Sequence, residues 1–305
     1  IFRTRGALST KIAVEERGSS VTLIQTSERG APADQYTAPK RTVRLTKIPQ
    51  IKQESMIYAD ELRELRAFGS EAAQASLEQI RNEHLEDMGD SVDVTHEHLL
   101  LGALKGVLLD ADGTSTILDT FSFFGVAQEA EVDLNLDSTT AGEVTQIVRG
   151  VVRTMLNNLG RDSAMVTHVH AYCSSGVMDA LITSKDFTAS VTSDPTAQVV
   201  LRQGSVFRTL LWQDVVWEEY RTGNAGLGGS WIDTDKCIFF PVGPAIYDLH
   251  FAPGDFFDAV EAPGLPMYAR AARDPEFDRW LKLHVQSNPL PICTHPKALM
   301  KAKKT

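Results

Sequence analysis

The stretch LGALKGVLLDADGTSTILDTFSFFGV, Leu101 to Val126, packs several structural signals together. Gly106 follows an apolar, helix-compatible run and is a left-handed stop. Val107-Leu108-Leu109 reads as a strand. Asp112-Gly113 is a hairpin turn signal, and Ile117-Leu118 lies on the return strand. Phe121, Phe123 and Phe124 then give this unit a packing face. A helical stretch that stops directly into a tight hairpin is the pivot of the chain.

Upstream of the pivot, residues 55–105 read as mostly helical. Leu62, Leu65 and Phe68 recur at helical spacing, Gly69-Ser70 marks a break or re-cap, and Ala73, Leu77, Ile80 and His84 continue one face. An interruption is expected near Gly89-Asp90, with Thr95 capping a second stretch that ends at Gly106. Residues 1–50 read as extended. Leu8, Ile12 and Val14 alternate, Glu15-Glu16-Arg17-Gly18 breaks the pattern, and Val21, Leu23 and Gln25 resume it. Residues 28–40 form an irregular crossing, and Val43 and Leu45 alternate up to Pro49. This segment has too few large apolar residues for a core, and an isolated hairpin is marginal in water. It is expected to lie on something else.

Downstream, helix alternates with strand. Thr140 and Glu143 are spaced as a capping box ahead of the best amphipathic helix, which carries Val144, Ile147, Val148, Val151, Val152, Met155 and Leu159 and ends at Gly160. Residues 164–173 alternate as a strand, and Ser174 caps a short helix with Val177, Met178, Leu181 and Ile182. Strands are expected at 205–212 and 214–220, a flexible loop at 223–229, and a strand from Cys237 to Pro241. An extended, Pro-rich and aromatic-rich stretch follows. The basic tail, Lys297 to Thr305, is expected to fray.

A chain of 305 residues with 43% hydrophobic and 23% charged residues has an ordinary globular composition. It is long enough for about two domains and needs no disulfide or metal to hold its core. No apolar run approaches the ~18 residues of a membrane helix. Cys173, Cys237 and Cys293 are few, odd in number and far apart. That indicates neither a disulfide framework nor a zinc ribbon and favours a reducing compartment. The first residue is Ile1 and no signal peptide is visible, so cleavage or an upstream segment is expected. The net charge of −10 is uneven. Residues 1–50 hold nine basic and four acidic side chains, whereas Gly106 to Val148 hold eight carboxylates and no Lys or Arg. Such segments can meet on neighbouring copies. The acidic total argues against sequence-specific nucleic-acid recognition.

The search for chemistry finds no convincing site. His96-Glu97-His98 lacks the spacing of zinc proteases. His168 and His170 share one face of a strand, the basis for a metal-dependent enzyme as a reading of a different class, but no third ligand is fixed and a structural role is favoured. Asp110-Ala111-Asp112-Gly113 lacks the later ligands of a calcium loop, and a hairpin turn explains it. The glycines at 223, 226, 228 and 229 lack the spacing of a phosphate loop. Cys173-Ser174-Ser175-Gly176 reads as a helix cap rather than a nucleophile turn. No catalytic residue, metal or cofactor is expected.

The order of elements then carries a resemblance. Gly30 to Pro49 (GAPADQYTAPKRTVRLTKIP), Leu101 to Val126 and Ala245 to Met267 (AIYDLHFAPGDFFDAVEAPGLPM) are similar to the major capsid proteins of tailed bacteriophages, the lambda-type capsid protein E family. The late Pro-Ile-Cys segment is also similar. The resemblance spans nearly the whole chain and implies an α+β, Hong Kong 97-type capsid fold. It implies an extended loop at 1–50, with the preceding N-terminal arm missing. It implies a peripheral domain with a long spine helix at 51–130 and 245–305, and an axial domain at 131–244. The implied function is a structural shell of hexamers and pentamers enclosing double-stranded DNA in the virion, without catalysis, sequence-specific DNA recognition or a membrane. Portal, scaffolding and decoration proteins are the implied partners. An encapsulin-like compartment is the alternative within the same fold. Lys11, Arg17, Arg29, Lys40, Arg41 and Arg44 are the candidate intersubunit contacts. No Asn partner for a cross-link to Lys11 identifies itself.

Overall fold

The computed structural model describes residues 1–17, 41–60, 77–193, 209–221 and 231–305. Strand β1 (Arg3–Gly6) precedes a long hairpin, β2 (Lys11–Arg17) with β3 (Arg41–Lys47), and then β4 (Ile51–Tyr58). The dominant helix, α1 (Leu77–Lys105), runs into the hairpin β5 (Val107–Leu109) and β6 (Thr116–Asp119), closed by the short α2 (Thr120–Phe124). The middle of the chain supplies β7 (Val132–Asp133), α3 (Glu143–Leu159), β8 (His168–Cys173), α4 (Ser175–Thr183) and α5 (Lys185–Ser193). Strands β9 (Thr209–Trp212), β10 (Val215–Glu219), β11 (Lys236–Val242) and β12 (Tyr247–Phe251) follow. Strands β13 (Tyr268–Arg273), β14 (Trp280–Ser287), β15 (Pro289–Cys293) and β16 (Met300–Lys303) complete the described strands.

The strand β4 corrects the expectation of helix from residue 55. It pairs antiparallel with β14, and β14 with β13. Helix α1 lies on this sheet. Ile80, Met88 and Val92 meet Ile57, Leu281, Leu283 and Val285 in one buried cluster. Ser55 Oγ lies 2.8 Å from His84 Nδ1, and His96 Nε2 lies 2.8 Å from Ser287 Oγ, fastening the helix at two levels. The helix does not break at Gly89-Asp90. A glycine costs a helix only about 1 kcal/mol, and the buried Met88 and Val92 on either side outweigh it. Thr95 is therefore no cap: its hydroxyl donates to the Ser91 carbonyl within the helix at 2.8 Å. Leu62, Leu65, Phe68, Gly69-Ser70 and Ala73 lie outside the described residues, as do residues 18–40 and the loop at 223–229.

Gly106 stops α1 with φ +84°, and the Phe121 ring sits where a β-carbon would stand. Asp112 makes the β5–β6 turn, accepting from the Thr114 N–H and from both the N–H and hydroxyl of Ser115. Those bonds, the Ser115 hydroxyl foremost, hold its carboxyl far below the usual range.

A six-stranded sheet, ordered β7-β16-β11-β8-β10-β9, carries the largest core. Val169, Ala171 and Cys173 of β8 point to one face, where α3, α4 and α5 cover them with Val148, Val151, Met155, Met178, Leu181 and Phe187. His168, His170 and Tyr172 point to the other. There His170 stacks on Phe240 (5.3 Å between centroids) and the second core, around Tyr247 and Leu101, begins. Two expectations are corrected in this region. The first is the capping box. Helix α3 starts one residue after Gly142, and Glu143 accepts instead from Ser138 and Asn135. The real cap is Asp186 of α5, whose carboxylate accepts from Gly142 N (2.6 Å) and Thr145 N (3.0 Å). Burial pushes the Asp186 pKa up, but these N–H groups outweigh it and the carboxyl titrates below its ordinary value. The second is the tail. Residues 300–303 are an inner strand, paired antiparallel with β11 and parallel with β7.

A third sheet, β1-β12-β15, joins residues 3–6 to the late, extended part of the chain. Asn288 locks it: its side-chain N–H groups donate to the Pro253 carbonyl (2.7 Å) and, at 3.4 Å, to that of Ala252, and its backbone carbonyl accepts from Ala252 N.

Candidate assembly surface

The β2–β3 hairpin leaves the body at Ile12 and Ile48, both buried with Leu108, Ala252 and Leu290. Its antiparallel register sets Ala13 opposite Leu45, Glu15 opposite Val43 and Lys11 opposite Lys47. Because side chains alternate across a strand, this row faces one way, and it is exposed throughout; Leu45 is 69% and Val43 56% accessible. Ile12, Val14, Arg44 and Thr46 face the other way and are covered in whole or part. The alternation of Val43 and Leu45 is thus real, but it points away from the chain's own core. Strand β2 also continues through Glu15-Glu16-Arg17, where a break was expected.

The root of the hairpin opens onto a groove of about 400 Å³ lined by Leu8, Ser9, Thr10, Pro253, Gly254, Asp255, Phe256, Phe257 and Val260. Phe257 is fully exposed, and Leu8 and Val260 are largely so. Of these, Leu8 belongs to the sequence's alternating pattern, whereas nothing in that pattern marks Phe257 and Val260 individually. The aromatic-acidic run Gly254 to Glu261 was the available signal.

The six candidate contacts fare differently. Lys11 and Arg41 are exposed on β2 and β3. Arg17 ends β2 in register with Arg41. Arg44 turns inward and donates from Nη2 to the Phe124 carbonyl at 3.0 Å, tying the arm to the end of α2. Arg29 and Lys40 lie outside the described residues. Of the other basic residues near the start, Arg3 and Arg5 engage the buried Asp248 at 2.9 and 3.5 Å and so belong to the body.

The acidic window is largely used within the chain. Glu131 pairs with Lys236 and Asp133 with Lys303, Asp119 caps α2, Asp112 makes a turn, and Glu129 accepts from Asn158.

His170 Nε2 lies 3.0 Å from Glu218 Oε2, and burial holds its pKa down against the pull of that carboxylate. Among the described residues no group of three His, Cys, Asp or Glu side chains could hold a metal ion. No described helix is long and apolar enough to cross a membrane. Ser174 caps α4: its Oγ accepts from Val177 N and donates to the Thr234 carbonyl.

The sequence pattern of the family Phage major capsid protein E matches residues 1–304. The chain belongs to that family. It is a virion component, a subunit of the icosahedral head shell, and this match favours the phage head over the encapsulin reading. No curated protein matches it in sequence. Solved structures share its fold, among them the three that follow. The capsid of cyanophage P-SCSP1u matches with TM-score 0.54 and 9% identity, over 100% of this chain and 86% of that one. The mature capsid of bacteriophage PhiM1 matches with TM-score 0.52 and 10% identity, over 100% and 85%. The crystal structure of the putative capsid protein of a prophage of E. coli CFT073 matches with TM-score 0.52 and 13% identity, over 88% and 80%. The fold is thus the α+β, Hong Kong 97-type capsid fold.

Proposed function

We propose that copies of this chain assemble as hexamers and pentamers into a closed head around double-stranded DNA, and that the β2–β3 arm lies on a neighbouring copy. The uncovered row on that arm carries the reading. Ala13, Val43 and Leu45 form an apolar strip that no described part of the same chain covers. Lys11 and Lys47 stand directly opposite one another on it. Like charges opposed across strands are unfavourable, and a carboxylate from another copy relieves them. Lys11, Arg17, Arg29, Lys40 and Arg41 are the proposed charged contacts. Arg44 acts from beneath by holding the arm to Phe124.

In this reading residues 51–130 and 245–305 form the peripheral domain and 131–244 the axial domain. Strands β1 and β16 cross those divisions, β1 by pairing with β12 and β16 by pairing with β11. The chain performs no turnover chemistry, and its further partners are portal, scaffolding and decoration proteins. DNA is enclosed without its sequence being read, consistent with a net charge of −10.

Replacing residues 13–46 with a short Gly-Ser linker keeps the buried Ile12 and Ile48 and removes the arm together with Ala13, Val43 and Leu45. Negative-stain microscopy of the purified proteins should show closed shells for the intact chain and only soluble, folded subunits for the variant. Normal shells from the variant would exclude the arm as the connector.

A further inference from the structure

Two of the three cysteines, far apart in sequence, are brought face to face. Cys173 ends β8 and Cys237 lies near the start of β11, and the antiparallel register sets them directly opposite. Both are fully buried in the largest core. Their position in the ladder matters. The neighbouring pair, Ser174 and Lys236, is hydrogen-bonded, with Ser174 N donating to Lys236 O at 3.2 Å. Antiparallel ladders alternate, so Cys173 and Cys237 occupy the non-hydrogen-bonded type of site. Pro241 opposite Val169 falls in the same set, as a residue without an N–H must. At such sites the Cα atoms approach to about 4.5 Å, near the lower end of the ~4.4–6.8 Å span of disulfides. The Cys173 thiol donates to the Ala171 carbonyl of its own strand at 3.8 Å, and the adjacent Cys237 helps raise its pKa. Cys293 is also buried, but it sits in a different sheet, opposite Tyr247.

We propose that Cys173 and Cys237 are a modification site, forming a reversible cross-strand disulfide between β8 and β11 when the protein meets an oxidising medium. One S–S bond forms and both S–H bonds break. Two protons and two electrons pass to a small oxidant of the diazene or peroxide class; with diamide, the N=N bond takes them up and becomes a hydrazine. Burial raises the Cys173 thiol well above its ordinary pKa, so the reaction is slow in the closed sheet. The bond would close the loop that contains α4, α5, β9 and β10, constraining the unfolded chain. The oxidising setting, a released virion, rests on the head-shell reading; the bond itself does not.

The test uses the intact protein, assembled or not. Folded protein is held with excess diamide for hours, then denatured and alkylated. One alkylated thiol, on Cys293, is expected instead of three, with a Cys173–Cys237 linked peptide by mass mapping and full recovery of three thiols after dithiothreitol. The melting midpoint should rise by a few degrees on oxidation. That rise should be absent in Cys173→Ala and Cys237→Ala and present in Cys293→Ala. Three alkylatable thiols after diamide, or a bond that uses Cys293, would overturn the proposal. Because the wild-type thiol count decides the question, a variant that fails to fold does not blunt it. Because shell formation is not the readout, failure here and failure of the head-shell reading are separate results.

Discussion

Changing Val43 and Leu45 together to Ser separates the arm's two modes of contact. Leu45 is 69% and Val43 56% exposed on the chain's own surface. Fully burying such a side chain contributes about 1.5–3 kcal/mol. Scaled by what remains to be covered, the pair supplies about 2–4 kcal/mol to each contact with a neighbour. Since about 1.4 kcal/mol is a factor of ten, the subunit concentration needed for assembly should rise by about 30- to 700-fold. The subunit itself should be unaffected, because exposed substitutions move stability by only about 0.5 kcal/mol. Light scattering against protein concentration gives the first quantity and thermal unfolding of dilute subunits the second. The companion variant, Lys11→Glu with Arg41→Glu, removes exposed charges whose pairs contribute only about 0–1 kcal/mol and are screened within about 8–10 Å in physiological salt. It should slow assembly at low salt and matter little at physiological salt. If the serine variant assembles at the wild-type concentration, or charge reversal is the more damaging change in physiological salt, apolar contact is not what the arm provides.

Other outcomes follow from the body of the subunit. Asp186→Ala leaves Gly142 N and Thr145 N without their acceptor, and should cost about 2 kcal/mol or slightly more, with Asp186→Asn intermediate; chemical unfolding curves that coincide with wild type would remove Asp186 as the α3 cap. Deleting residues 299–305 strips the buried Leu299, Met300 and Ala302 from the six-stranded sheet, a loss of about 5 kcal/mol or more against a typical total of about 5–15, so circular dichroism should show a largely unfolded middle region rather than a native spectrum. Burial holds His96, His98, His170 and His250 below the ordinary histidine pKa. The unfolded chain therefore binds these protons more readily. The stability they contribute is complete above about pH 6.5 and is lost as pH falls towards their lower folded values. The melting midpoint should fall on going from neutral to mildly acidic solution, less steeply in His170→Phe, and a flat or rising midpoint would contradict it.

What could be read from the residues was whatever is decided locally. The turn at Asp112-Gly113, the stop at Gly106, the apolar face of α3 and the Ser174 cap each depend on side chains a few positions apart, and each was legible. What was lost depends on partners far along the chain. Strand β4 reads as polar because Lys52, Gln53 and Glu54 interrupt its alternation, and its partner β14 lies more than two hundred residues away. Asp186 caps a helix that starts over forty residues earlier, so the Thr140 and Glu143 spacing misled. At the assembly surface, the basic residues were visible but their fates were not. Nothing local says that Arg44 turns inward while Val43 and Leu45 turn out, because that depends on which face of the hairpin meets the body.

The place of β16 also bears on how the subunit is made. Strand β11 cannot gain its second neighbour until residues 300–303 have left the ribosome, and until then one edge of the central sheet stays open. Translation adds only about 5–20 residues per second, so for several seconds the emerging chain is exposed to wrong pairings. The same ordering protects the growing head: a prematurely terminated product lacks the strand that completes its sheet, and a truncated copy is culled by misfolding before it can be built in as a defect.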